Sequence, residues 1–485
     1  MSRPPAAALL GNTRTIALIS PSGAVDWLSL PKLGGPALFD AHANAVTPAG
    51  TFTLAPAGVF EAERTYVGET AILQTTFRVP GGRATVIDFL PVRVGAGDVT
   101  KLPHHRLVRM VECVEGEVEF QARFAPYVDG QLPAVVLDPN GVMFVGSART
   151  LLLQTEAELD RHSHEVSGSF RLKAGEKRHF VLTMVEGTDP DVPEMRTTEP
   201  EWDLDATIDY WLAWGRRCAF KGVQRDHVLR LAAAVKAAWL PNLDVALQAP
   251  PVPPAPYSQF SYAGFCAIAP IALAAWGWEE QLATALADAP RLALAARDAY
   301  TPAIVFAWLA HAEEASLMSG STFVKYWPVW QPLVARVASA AAEFKVTGEL
   351  ATWRALALPL ADGLLGAANL VDDLLLTGDA AVWREAAQAL LAKAPGPRRT
   401  GDDEFDALLL EGELSTAIEA IEAELAEGGY LQARRRMDRW LLAYDPLATG
   451  RDAHSDARAL FVAARLYLVE PPAPGRVHMP GDLGD

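Results

Sequence analysis

Apolar residues come in short alternating runs up to about residue 195 and shift to helical spacing after Pro200. In the first part, Thr15-Ile16-Ala17-Leu18-Ile19 meets a Pro21-Ser22-Gly23 turn and returns as Ala24-Val25-Asp26-Trp27-Leu28. Phe77-Arg78-Val79 meets Pro80-Gly81-Gly82 and returns as Ala84-Thr85-Val86-Ile87-Asp88-Phe89. Further turns are written at Glu115-Gly116, Asp138-Pro139-Asn140-Gly141 and Ala174-Gly175-Glu176. Glycine and asparagine supply the positive φ angles that such turns require. Many short turn-bounded strands predict an antiparallel β-sandwich over residues 1–195.

After Pro200 alanine and leucine dominate, and helices are expected over 206–220, 227–239, 264–276, 280–297, 302–318, 324–344, 360–376, 381–393, 403–426, 431–443 and 456–468. Short connections favour antiparallel helix pairs. The segment 264–276 is apolar nearly all round, so other helices must enclose it. An inner ring of apolar helices inside an outer amphipathic ring meets that need. The expected fold class is therefore α+β multidomain: an N-terminal antiparallel β-sandwich followed by an α/α (six-hairpin) barrel over 225–470, with a linker helix in 196–224 and a loose tail at 471–485. Periodicity leaves a helical solenoid open, although no fixed repeat period is visible. The proline-rich run 249–256 cannot be helical and is expected as an extended loop at the barrel mouth.

Composition narrows the class. Half of the 485 residues are apolar and 21% are charged, which suits a large buried core. The net charge of −17 repels phosphates and anionic lipid, setting nucleic acid and membrane aside as partners, and it is compatible with a neutral ligand such as a small saccharide. The three cysteines, Cys113, Cys218 and Cys266, are far apart, so neither a disulfide framework nor a zinc site is expected. That usage fits a reducing, cytoplasmic location. The apolar patch at 6–10 is too short for the core of a signal peptide. The longest apolar run, 263–278, falls short of a bilayer span and is interrupted by Pro270.

Several segments carry a resemblance. Asn12-Thr13-Arg14-Thr15-Ile16-Ala17-Leu18-Ile19, Gly23-Ala24-Val25-Asp26-Trp27-Leu28-Ser29-Leu30-Pro31 and Pro36-Ala37-Leu38-Phe39 stand near the start. Val86-Ile87-Asp88-Phe89-Leu90-Pro91 and Leu107-Val108-Arg109-Met110-Val111-Glu112 follow. Ala417-Ile418-Glu419-Ala420-Ile421-Glu422, Gly428-Gly429, Tyr444-Asp445-Pro446 and Thr449-Gly450 close the set. In this order they resemble glycoside hydrolase family 15, the glucoamylase- and trehalase-like group. The resemblance implies the sandwich-plus-barrel fold and hydrolysis of α-glucosidic bonds with inversion. Inversion needs a general acid and a general base whose carboxyl groups lie ~6.5–9.5 Å apart.

The family's catalytic and sugar-gripping positions are poorly matched. The sugar-gripping run corresponds to residues 258–269, where the family's Arg-Asp pair falls on Ala267 and Ile268 and its earlier Asp on Phe260. No charged residue occurs between Asp244 and Glu279, so no shift of alignment restores the grip. The general acid falls on Arg354 if Trp353 sets the register, or near Glu349 if Gly348 does. Arginine cannot donate a proton at neutral pH. The general base falls on Leu442 or Ala443, with Asp445 two residues on, where Asp-Pro ordinarily opens a turn.

Other constellations are weaker. His162-x-His164 is expected on one strand face but lacks a third metal ligand, and His104-His105 reads as a solvated edge pair. Asp372-Asp373 reads as structural, and Asp402-Asp403-Glu404 as a helix start. Trp327 and Trp330, three apart on one helix, read as core. No cofactor or metal is expected. The leading expectation is a pseudoenzyme of the family, ligand-binding or regulatory, whose pocket wall is formed by Tyr257, Phe260, Tyr262, Phe265 and Trp353. Two alternatives stand beside it: a divergent inverting α-glucosidase using Glu349 and Asp445, and an interaction protein with a filled barrel. Oligomeric state is not legible.

Overall fold

The computed structural model describes residues 7–32, 35–41, 50–92, 105–139, 141–188, 200–239, 262–279, 282–295, 302–303, 305–306, 320–343, 350–392, 400–426, 428–448 and 453–468. Two compact units result, one built on sheets and one on helices.

The sheet unit contains fifteen strands: β1 (Ala8–Gly11), β2 (Ile16–Ile19), β3 (Val25–Leu28), β4 (Phe39–Asp40), β5 (Thr51–Pro56), β6 (Glu61–Tyr66), β7 (Leu73–Val79), β8 (Gly82–Phe89), β9 (Arg106–Ala125), β10 (Ala134–Asp138), β11 (Gly141–Val145), β12 (Arg149–Thr155), β13 (Asp160–His162), β14 (Glu165–Lys173) and β15 (Lys177–Glu186). All pairings between these strands are antiparallel. The 20-residue strand β9 belongs to two layers. Its first half lies between β8 and β15, and its second half lies between β5 and β14. The change of partners occurs at Gly116, whose φ is +70°. A Cβ at Gly116 would sit 2.1 Å from the Gly81 carbonyl oxygen, so glycine is required there.

Phenylalanines from the two layers meet in the core. Phe52 and Phe180 have ring centroids 6.4 Å apart, Phe124 and Phe144 4.9 Å, and Phe77 and Phe120 6.3 Å. All six are fully buried. Each such ring contributes about 1.5–3 kcal/mol by leaving water. Alternation along β9 sends Leu107 and Val111 into this core and Val108 and Met110 to the opposite face.

Helix α1 (Pro200–Arg216) covers that opposite face, packing Leu204 and Ile208 on Ile72, Phe89, Val108, Met110 and Val181. Pro200 opens the helix, where a missing N–H costs nothing, and Glu201 and Asp203 favour its positive end. The helix therefore begins before the expected 206. Arg106 ties it down, reaching Asp203 at 3.3 Å and Thr183 at 3.1 Å, and the Val92 N–H donates to the Thr207 hydroxyl at 3.1 Å. The second half of α2 (Arg225–Ala238) belongs to the same unit. A side chain at Gly11 would begin 1.7 Å from the Ala237 carbonyl oxygen, so β1 and α2 meet backbone to backbone.

The helical unit contains α3 (Tyr262–Ala274), α4 (Leu282–Ala295), α5 (Gly320–Glu343), α6 (Leu350–Asp373), α7 (Ala380–Leu391), α8 (Asp402–Leu410), α9 (Leu414–Ala426), α10 (Tyr430–Ala443) and α11 (Ala453–Tyr467). Neighbours in sequence pack as α3 on α4, α6 on α7 and α9 on α10, and α11 packs back on α3. The Trp276 indole N–H donates to the Leu460 carbonyl at 2.9 Å beside that last contact. The single helix expected over 403–426 is two. Gly412, at φ +74°, ends α8, and the Gly412 and Glu413 N–H groups donate back to Leu409 and Leu408. Helix α6 starts at Leu350, ten residues before the expected start at 360.

Candidate functional site

The expected site residues divide sharply. Tyr257, Phe260 and Glu349 lie outside the described residues. Tyr262 and Trp353 lie on α3 and α6, and nothing is described of their side chains. Phe265 lies on the first turns of α3 and is only 1% exposed. The described part of α3 continues as Ala269, Pro270, Ile271, Ala272, Leu273 and Ala274, all buried. Helix α3 carries no charged residue at all.

Asp445 is exposed and follows α10. Its Oδ1 accepts from the Leu447 N–H at 2.8 Å, which is an Asx turn. Leu447 packs on the sheet-unit core. Asp445 also acts electrostatically on Arg64 of β6, whose guanidinium is lowered by burial and partly restored by Tyr66, Asp445 and Asp26. Arg64 in turn donates to the Ile19 carbonyl at 3.3 Å. This carboxylate shapes a loop and opposes a cation. Leu442 and Ala443, the other candidate positions for a base, are exposed and carry no acid.

The remaining sequence candidates resolve into structural roles. Trp327 and Trp330 are buried, and their indole N–H groups donate to the Thr377 and Leu286 carbonyls at 2.9 and 2.8 Å. They are core residues, as their spacing on one helix suggested. His162 and His164 do not share a strand face. His162 ends β13 and pairs in register with Glu165, so Ser163 and His164 form a two-residue turn. The imidazoles diverge, one to Ser167 at 3.0 Å and the other to the Pro133 carbonyl at 2.9 Å. Among the described residues no cluster of histidine, cysteine or carboxylates suits a metal ion. His105 meets the Pro31 carbonyl at 3.2 Å, and burial lowers its pKa; His104 lies outside the described residues. Asp372 pairs with Arg384 at 2.6 Å. Asp402, Asp403 and Glu404 form the first turn of α8, where Asp402 receives Gln432, Arg436 and Arg439.

Polar groups converge elsewhere. Asp88 and Arg109 are register partners on β8 and β9, and both point into the apolar core. The guanidinium donates to the two Asp88 oxygens at 2.7 and 3.3 Å and to the Gly23 carbonyl at 2.7 Å, and it lies 4.7 Å from the Phe52 ring centroid. Each of the three motifs around Gly23, Asp88 and Arg109 is visible in the sequence, but their meeting is not. The signal was a charged residue at an inward position of each apolar strand. On α2, buried Lys236 holds its ammonium 5.8, 5.3 and 5.7 Å from the rings of Tyr210, Trp214 and Trp239. On β15, His179 stands between Glu156 and Glu201 at 3.0 Å from each.

The Asp88–Arg109 pair and the His179 arrangement lie within residues 5–209, which a family model for the trehalase-like N-terminal domain matches, and the Lys236 cluster lies beyond it. The chain carries a trehalase-like N-terminal domain. Curated relatives agree. The trehalase of Thermoplasma volcanium is 23% identical over 250 residues, 50% of this chain and 38% of that protein. The trehalases of Mycolicibacterium smegmatis and Mycobacterium tuberculosis are 27% and 26% identical over 42% and 43% of this chain, and each match covers 33% of the relative. The matched segment thus spans little more than a third of the length of these trehalases. A solved chain described as a kojibiose phosphorylase from the human microbiome covers 96% of this chain and 90% of its own at 9% identity, with a TM-score of 0.37, too low to assign a shared fold. The resemblance to the trehalase-like group stands, and the trehalase-like domain holds the Asp88–Arg109 pair and most of α1.

Proposed function

We propose that this trehalase-like chain is a carbohydrate-related protein that binds a small saccharide or other neutral ligand and lacks normal glycosidase turnover. One observation carries the reading: no charged residue occurs between Asp244 and Glu279, where the family places its sugar grip. Apolar side chains cannot hold a sugar ring by its hydroxyls, because each buried hydroxyl without a partner costs free energy. The described side chains of α3, buried and uncharged, support this, as does the use of the Asp445 carboxylate within its own turn. We assign the ligand wall to Tyr257, Phe260, Tyr262, Phe265 and Trp353. The return of α11 onto α3 favours a closed α/α barrel as the frame of that pocket. Among the described residues no helix is long and apolar enough to cross a membrane. Two of the three cysteines, Cys113 and Cys218, are buried free thiols, which fits a cytoplasmic setting.

Thermal-shift measurement with maltose, trehalose, isomaltose and aryl α-glucosides tests the binding half of the proposal. A ligand at one hundred times its Kd adds about 2.7 kcal/mol of stability. A shift with at least one sugar, abolished by Trp353→Ala, is expected. An unchanged melting profile across the panel would indicate a filled interior and end the proposal.

A further inference from the structure

The arrangement around His179 carries an inference independent of any sugar site. His179 lies on β15 with its side chain 16% exposed. Its Nδ1 stands 3.0 Å from Glu156 Oε1, just after β12, and its Nε2 stands 3.0 Å from Glu201 Oε1, in the first turn of α1. The His179 backbone N–H also donates to Glu156 Oε2 at 2.8 Å. Ionised carboxylates only accept hydrogen bonds, and a neutral imidazole has one N–H to give. Nδ1 forms a hydrogen bond with Glu156 and Nε2 meets Glu201 as an ion-pair approach, so imidazolium suits both carboxylates at once. In the neutral form, one ring nitrogen turns a lone pair on a carboxylate.

We propose that His179 is a proton-operated clasp that fastens the first turn of α1 to the sheet domain. The other charged groups nearby are already engaged. Lys177, two residues along β15, pairs with Glu112 of β9 at 3.3 Å, and the half-buried Arg178 donates to the Lys177 carbonyl. Arg106 of β9 pairs with Asp203 of α1 at 3.3 Å. The β9 residue in register with His179 is Met110, which brings no charge. Glu156 and Glu201 are thus the groups that act on the ring. The hydrogen bond to Glu156 raises the His179 pKa above its ordinary value, outweighing burial, and the charges of Glu156 and Glu201 add to the rise. Burial raises the Glu156 pKa, but its bonds from His179 prevail and hold it below its ordinary value.

The sign follows from linkage. The pKa of His179 is raised on folding, so its contribution is complete below the unfolded imidazole value and is lost as pH rises through the folded value. The Glu156 contribution is lost as pH falls through its own lowered value. The clasp is closed between those limits and opens on the alkaline side. Arg106–Asp203 and the half-buried Leu204 and Ile208 keep the body of α1 seated, so opening is confined to its first turn.

Two measurements on the full-length protein test this. In proton NMR the His179 ring should titrate above the ordinary imidazole midpoint, and Glu201→Gln should move that midpoint down. Amide exchange in the first two turns of α1, corrected for intrinsic rates, should rise about two- to five-fold from mildly acidic to alkaline pH, the range for an ion pair with exposed partners. His179→Gln, which keeps a hydrogen-bonding side chain, should remove that pH dependence while the exchange of β8 and β9 stays as in wild type. An ordinary or lowered midpoint, or α1 protection in wild type that ignores pH, would overturn the proposal.

Discussion

Replacing Asp88 by alanine tests how much the trehalase-like domain depends on one buried ion pair. Asp88 and Arg109 are both fully buried between apolar layers. The substitution removes two charge-assisted hydrogen bonds, of 2.7 and 3.3 Å, from the guanidinium. Arg109 keeps the Gly23 carbonyl at 2.7 Å and the Phe52 ring, neither of which neutralises its charge. Removing one partner of a buried pair typically costs about 3–5 kcal/mol, because the remaining charge is stranded in a poorly polarisable interior. For a domain of this size each kcal/mol lowers Tm by about 2–4 °C, giving a fall of roughly 6–20 °C. Urea unfolding read by hydrogen exchange in β8 and β9 reports the sheet domain separately from the helices. The double replacement Asp88→Leu with Arg109→Met should recover most of the loss, since an apolar pair of similar volume strands no charge. A loss below about 1 kcal/mol in Asp88→Ala, or a double variant as unstable as the single one, would refute the reasoning.

Other substitutions probe separate parts of the account. Phe124→Ala should cost about 3–5 kcal/mol in the same exchange experiment, because its buried ring touches Phe39, Phe52 and Phe144. Gly11→Ala should increase exchange in the second half of α2, since the added Cβ would fall 1.7 Å from the Ala237 carbonyl oxygen; wild-type protection there would contradict the close approach. Asp445→Asn should leave stability within about 0.5 kcal/mol of wild type by chemical denaturation, because asparagine also caps an Asx turn and the site is exposed.

The sequence made the two-part architecture legible because strand and helix periods differ and the change falls at one place, Pro200. Hairpin turns were equally visible where glycine takes a positive φ, as at Gly175 between β14 and β15, whereas the turn expected at Glu115-Gly116 is a change of partners within the continuous strand β9. Helix boundaries were less so. Helix α6 was expected ten residues late because alanine-rich segments such as 350–359 lack a strong polar face, and the break at Gly412 was absorbed into one long helix because its neighbours remain amphipathic. The site was legible mainly as an absence, the charge-free run before Glu279, since a missing charge needs no alignment. The ion pair of Asp88 with Arg109 and the His179 clasp join residues 21 to 23 positions apart or more through sheet register and helix docking, which local pattern does not encode.

The central proposal is that a chain with this trehalase-like N-terminal domain lacks normal sugar hydrolysis, and glucose release from saturating trehalose tests it most directly. The account predicts no release above the uncatalysed background from purified protein, with Glu349→Gln and Asp445→Asn indistinguishable from wild type. Sustained release that either substitution abolishes would contradict it and restore these two carboxylates to an inverting active site.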